Sequence, residues 1–200
     1  MNVDGAEEFS VGFKSPLGMM KLTAQVVPAD EGEVVLLSAV SFVPGEEIDQ
    51  HLPEGPGRGV LEEGVRWLTE YFSGREPDFM PPVFIKGTLF QLVVADALRK
   101  IPYGTTITYG ELAQKVAMRL RSTGESTLNP ELIHEATRAA KSARAIGQAV
   151  RNNRLCVIVP CHRVIGAHGR LTGYAYGLPI KRALLEIEGV DLRALKKRDD

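Results

Sequence analysis

Residues 74–87, GREPDFMPPVFIKG, hold three prolines and two glycines in fourteen positions. Each proline fixes φ at about −65° and removes an amide donor, so neither a helix interior nor a central strand passes through such a stretch. The chain is predicted to divide here, with the boundary near residue 82. An N-terminal domain over 1–82 and a C-terminal domain over 83–192 follow, with a charged tail over 193–200. Upstream, FSVGFKSPLGMMKLTAQVV reads as a hairpin around Ser15-Pro16-Leu17-Gly18, and EVVLLSAVSFV as a further strand. VLEEGVRWLTEYF places Leu61, Val65, Leu68 and Phe72 on one helical face and stops at Ser73-Gly74. The first half is therefore a small α/β unit.

Downstream the signals are helical. Thr88 with Gln91 and Thr108 with Glu111 have capping-box spacing, predicting helices over about 88–100 and 109–120. Asn129 as cap and Pro130 at the first helical position open another. An apolar strand over 155–159, a Gly-rich loop over 166–177 and a final helix complete the reading. That helix is opened by Pro179, striped by Ile180, Ala183, Leu184 and Ile187, and ended by Gly189. The fold class is thus an α/β domain followed by a mainly α domain.

Composition excludes little. The 200 residues are 44% hydrophobic and 24% charged, with a net charge of −1. No apolar run reaches the roughly 18 residues of a membrane span. The acidic start, MNVDGAEEFS, lacks the apolar core of a secretory signal. The net charge conceals an asymmetry. Met1 to Glu63 carries 12 acids against three bases, whereas Arg138 to Leu185 carries nine bases and no acid. The basic part suits either a polyanion or a solvated face.

The two cysteines, Cys156 and Cys161, are five apart. An extended segment of that length separates them by about 16 Å, beyond the roughly 7 Å a disulfide spans. Free thiols fit a reducing interior, cytoplasmic or nuclear rather than secreted. Cys161 ends the apolar run and is followed by His162. A thiol attacks as thiolate, which a neighbouring base makes accessible. On an extended chain, however, adjacent side chains point to opposite sides, so a water or a turn has to intervene. Glu188, beside the stripe of the last helix, is positioned to orient the imidazole. Cys156 has no such neighbours and reads as core. A zinc site would need paired ligands; Cys156, Cys161 and His162 lack a second pair, while His51, His134 and His168 are scattered. No metal and no cofactor is expected.

A helix over 138–151 is the second feature. Lys141, Arg144, Gln148 and Arg151 form a basic stripe opposite Ala139, Ala143, Ile146 and Val150. Small residues at 140, 143 and 147 permit close approach. Preceded by YGELAQKV, it suggests a helix-turn-helix.

Taken together, IPYGTTITYGELA, SARAIGQAVRNN, VIVPCHRVIG, GYAYG and KRALLEIEG resemble, in order, the O6-alkylguanine-DNA alkyltransferase family. The likeness extends upstream to SPLGMMKLTA, YFSG and GTLFQ, and so covers nearly the whole chain. It implies a ribonuclease-H-like small sheet with a helix, then a winged-helix-like domain with a helix-turn-helix core. It also implies a monomer that binds duplex DNA and extrudes O6-alkylguanine, with O4-alkylthymine as a further substrate. The alkyl group would pass irreversibly to Cys161. By this resemblance His162 takes the thiol proton through a water, Glu188 holds the imidazole, and Asn153 stabilises the turn presenting Cys161. Tyr109 and Lys181 would donate to the departing guanine. Arg144 would fill the space of the flipped base, while Lys141, Gln148 and Arg151 contact DNA. Tyr174, Val164, Ala175 and Tyr176 would line the base pocket.

Three departures stand out. Between ELA and AR lie 29 residues, Gln114 to Ser142, where the family usually has fewer than ten; the extra stretch is about 117–137. Tyr176 occupies a position that is small in many relatives and is expected to narrow the pocket, slowing transfer from bulky adducts such as benzyl. FQLVVADAL lacks the usual aromatic after valine, a packing change. Two alternatives remain. One is a lesion-binding relative that transfers nothing, against which the presence of Cys161 argues. The other is a cysteine hydrolase using Cys161, His162 and Glu188, for which no substrate signal exists.

Overall fold

The computed structural model describes residues 6–123 and 129–196 and divides into two compact units. The first comprises the chain up to Ile85 together with Arg154–Cys156; the second comprises Lys86–Asn153 and the chain from Val157 onward.

The first unit is an antiparallel meander, β1 (Glu8–Ser15), β2 (Gly18–Ala29) and β3 (Gly32–Phe42), followed by helix α1 (Arg58–Phe72). Ser15 closes the first hairpin, its hydroxyl donating to the Gly18 carbonyl at 2.7 Å and accepting from the Leu17 amide at 3.1 Å. Met20, Leu22 and Ala24 alternate inward on β2, as a half-buried strand requires. Leu61 and Leu68 are buried on α1 as expected, but Val65 and Phe72 are only half-buried, and Val60, Gly64, Trp67 and Tyr71 complete the buried face. Two aromatics with the most surface to bury set the rotation; they stack at 5.5 Å, only 9° from parallel. Gly64 allows the close approach, since a Cβ there would lie 2.8 Å from Leu22 Cδ2.

The proline-rich segment does not simply link. Its end pairs with β3, the Leu37 amide donating to the Pro82 carbonyl and the Phe84 amide to the Leu37 carbonyl, both at 2.9 Å. The unit accordingly ends at Ile85 rather than near 82. The segment over 155–159 is not a strand either. Leu155 makes a single bridge to Val40, and the chain then turns at Val157, whose φ is +71°. A continuous apolar run reports full burial, here 0–2% exposure at every position, and not the backbone conformation.

The second unit contains α2 (Leu89–Arg99), α3 (Tyr109–Thr123), α4 (Pro130–Ala140), α5 (Ala143–Arg151), α6 (Leu178–Ile187) and α7 (Leu192–Lys196). Short strands β4 (Ile107–Thr108) and β5 (Val164–Ile165) pair in parallel. Both capping boxes form as their spacing predicts. The helix expected over 138–151 is instead two. Lys141 ends α4, and Ser142 leaves helical geometry (φ −99°, ψ 113°) and caps α5 by accepting from the Ala145 amide. A serine that offers an oxygen to orphan amides favours such a restart. Ala143 is consequently exposed, not part of a buried stripe. Of the extra stretch 117–137, residues 124–128 lie outside the described residues, and α3 and α4 take the rest. Likewise α7 takes the first half of the expected tail, with Leu195 buried, while 197–200 are outside the described residues. Among the described residues no helix is long and apolar enough to cross a membrane.

Candidate active site

Pro160 stops the buried run, and Cys161–Arg163 form a 3₁₀ turn closed by an Arg163 amide bond to the Pro160 carbonyl at 3.1 Å. Cys161 and His162 therefore sit on a turn, not on the extended chain their neighbours suggest. Asn153 fixes the turn, its side-chain amide donating to the Val159 carbonyl at 2.8 Å and to Cys161 Sγ at 3.1 Å.

Behind the thiol lies a buried charged cluster. His162 is fully buried, and its Nε2 lies 2.7 Å from Glu188 Oε1. Arg163 spans the same carboxylate, Nε to Oε2 at 2.9 Å and Nη2 to Oε1 at 3.0 Å. Burial alone would raise the Glu188 carboxyl. The hydrogen bonds and charges of His162 and Arg163 outweigh it and hold the pKa at about 2. Burial pushes the His162 pKa down, with Glu188 opposing, so the ring is neutral at pH 7. A neutral imidazole facing an ionised carboxylate must carry its proton on Nε2, which makes Nδ1 the unprotonated, basic nitrogen.

The last helix places these charges. Its fully buried face is Lys181, Leu184, Leu185 and Glu188, rotated from the expected Ile180, Ala183, Leu184 and Ile187, of which all but Leu184 are half-buried. Two ionisable side chains face inward because partners await both. Lys181 Nζ donates to the carbonyls of Val164 and Thr172 at 2.6 Å and of Gly173 at 3.3 Å. Burial lowers its pKa to about 8, with Cys161 opposing, so at pH 7 it remains an ammonium. The Cys161 thiol is itself raised by burial, against the Asn153 hydrogen bond and the Lys181 charge. It rests protonated and needs a base.

Cys161 opens onto a cavity of about 620 Å³ within this unit. Tyr109 supplies one wall, and Ala143, Arg144, Gly147, Gln148, Val150 and Arg151 of α5 another; Asn153 and the loop Thr172–Tyr176 close it. Burial and the Cys161 charge raise the Tyr109 phenol, keeping it a donor. Tyr174 and Tyr176 meet edge to face at 5.8 Å.

Of the residues singled out in the sequence, Cys161, Asn153, Tyr109, Arg144, Gln148, Arg151, Tyr174, Ala175 and Tyr176 thus line one space. Val164 does not: its side chain is buried on β5, and its carbonyl accepts from Lys181. Lys181, His162 and Glu188 stand behind the lining, and Lys141 is exposed at the end of α4. Sequence reasoning assigned no role to Arg163, Ile101, Tyr103 or Gly104, although the motifs IPYG and PCHR contain them. Among the described residues no group of three or more His, Cys, Asp or Glu could hold a metal.

A family model described as 6-O-methylguanine DNA methyltransferase, DNA binding domain, matches residues 89–190. A methylated-DNA–protein-cysteine methyltransferase of Methanosarcina acetivorans is 38% identical over 179 residues, 88% of this chain and 96% of that protein. One from Mycobacterium tuberculosis is 41% identical over 133 residues, 66% and 68% of the two chains. The crystal structure of the M. tuberculosis O6-methylguanine methyltransferase aligns with a TM-score of 0.63 at 31% identity, covering 96% of this chain and 94% of that one. A structure of the M. tuberculosis OGT protein in complex with DNA aligns at 0.62 and 35% identity, covering 94% and 93%. With half its length under the family model and a relative matched nearly end to end, the chain belongs to the 6-O-methylguanine DNA methyltransferase family.

Proposed function

We propose that this protein repairs duplex DNA by moving an alkyl group from O6 of guanine, and from O4 of thymine, irreversibly onto Cys161. The carrying observation is that a protonated thiol and a phenol donor line one cavity whose far wall is a cationic helix, with a neutral imidazole held by a carboxylate buried next to the thiol in sequence. Its volume is in the range of small-ligand sites, about 300–1,000 Å³.

In this reading α3 and α5 act as a helix-turn-helix with α4 inserted, on a winged-helix-like domain that follows a ribonuclease-H-like sheet in the chain. Gln148, Arg151 and Lys141 hold the phosphate backbone, and Arg144 enters the space of the extruded base. Extrusion costs a few kcal/mol, and less where alkylation has weakened the pair. Tyr174, Ala175 and Tyr176 enclose the base beside Cys161. The thiol proton passes through a water to His162, the S–C bond forms as the C–O6 bond breaks, and its electron pair goes to guanine. Tyr109 stabilises that charge by donating a hydrogen bond. Lys181, whose ammonium is spent on three carbonyls, acts through its charge and not by donation to the base. The sum is thiol plus O6-methylguanine giving thioether plus guanine, once per molecule.

The test is intact mass after incubation with an oligonucleotide containing O6-methylguanine. A gain of one CH₂ on Cys161, absent in Cys161→Ala, is the expected result. Tight binding without mass gain would favour a lesion sensor, and repeated ester turnover a hydrolase.

A further inference from the structure

We propose that Arg163 is a positioning residue for transfer to Cys161: clamped between the Ile101 carbonyl and both Glu188 oxygens, it fixes the carboxylate that orients His162. This deepens the reading above and rests on it for the role of His162.

The geometry is specific. Glu188 receives His162 and Arg163 on Oε1, and Arg163 with the Gly104 amide (3.1 Å) on Oε2. The third arm of the guanidinium, Nη1, donates to the Ile101 carbonyl at 2.6 Å, and Tyr103 lies with its ring centroid 5.5 Å from the guanidinium carbon. The Tyr103 hydroxyl in turn reaches the Ile187 carbonyl at 3.3 Å. Gly104 is required here: its φ is +69°, and a Cβ would lie 2.9 Å from the Glu188 carbonyl oxygen. The Ile101–Gly104 turn and Arg163 thus hold the carboxylate from both sides. A lysine offers no planar fork to match this arrangement.

The charged groups facing Glu188 are His162 and Arg163, with the Tyr103 ring against Arg163; Lys181 of α6 acts on His162 and Cys161, and the Tyr109 phenol is near Cys161. Without Arg163, burial is opposed by His162 alone, and the carboxyl is protonated at higher pH. A protonated Glu188 no longer anchors the Nε2 proton, so the base on the Cys161 side is lost. Removal of an adjacent opposite charge moves a carboxyl by about 1–3 pH units, and the acid limb of the transfer rate should move up by that amount.

Wild type, Arg163→Met and Arg163→Lys are compared from pH 3 to 9 in two reactions: single-turnover transfer from O6-methylguanine in duplex, and alkylation of Cys161 by iodoacetamide. Both variants should show the acid limb shifted upward, Arg163→Lys less, with duplex affinity unchanged because Arg163 is buried away from α5. Limbs coincident with wild type, whatever the loss of melting temperature, overturn the proposal. If Arg163→Met does not fold, Arg163→Lys decides; if neither folds, ¹⁵N shifts of His162 in wild type decide, since an Nδ1-protonated ring between pH 6 and 8 contradicts the clamp. A wild type that takes iodoacetamide with shifted variant profiles but never takes methyl refutes the DNA reading and leaves this one standing.

Discussion

Lys181 and Glu188 face inward on a helix whose hydrophobic pattern reads the other way, and both carry shifted pKa values that tie stability to pH. The His162 ring is depressed in the native state, so below about 6.5, the ordinary imidazole value, the unfolded chain binds a proton that the native one refuses. Stability therefore falls as pH drops through that point. Glu188, at about 2 in the fold, contributes fully above about 4.3 and is lost only towards pH 2. Lys181, at about 8 against about 10.4 unfolded, makes its share rise with pH between those values. Urea midpoints between pH 4 and 10 should show these segments, and His162→Gln should flatten the decline between pH 6.5 and 5. Tyr176 yields a second prediction. It lines the cavity against Tyr174, so wild type should react slowly with O6-benzylguanine and Tyr176→Gly faster, with methyl transfer changing less. Fast benzyl transfer by wild type would refute that assignment.

The break at Lys141-Ser142 separates the inserted helix from the helix that forms the cavity wall. Ser142 accepts from the Ala145 amide at 3.3 Å, and replacing such a cap with alanine costs about 1 kcal/mol. Ser142→Ala should lower the unfolding free energy by that amount and fray the first turn of α5. Because Ala143 and Arg144 sit there, duplex affinity should weaken as well, and Ser142→Asp should recover the stability. Unfolding in urea and binding titrations read the two effects separately. The capping boxes at Thr88 and Thr108 were legible because a cap is a local bargain between a side chain and the next three amides. The missed break at Ser142 was equally local, but a basic and an apolar stripe running through it concealed the signal. The supposed strand at 155–159 failed for the opposite reason: burial on all sides removes periodicity, and nothing local then distinguishes strand from turn.

For the whole molecule, the asymmetry of charge between Met1–Glu63 and Arg138–Leu185 predicts a duplex affinity that falls with salt. Lys141→Ala and Arg151→Ala should each lessen the slope of log K against log salt by about one, uniformly across sequences. Slopes equal to wild type would remove these two from the phosphate contacts. Sequence alone determined the order of elements, the hairpin at Ser15–Gly18, most helix starts and, through its motifs, the family and the thiol at Cys161. These are short-range or linear facts, carried by proline, glycine and capping residues within a few positions. Tertiary structure decided which face of α1 and α6 turned inward, and that Arg154–Cys156 joined the first unit. It also decided that Arg163 closed on Glu188 across 25 residues of chain, on the Ile101 carbonyl across 62, and that the Gly104 amide reached Glu188 across 84. A buried charge is stable only where its partners meet it, and partners so distant are brought together by packing, not by any pattern written along the chain.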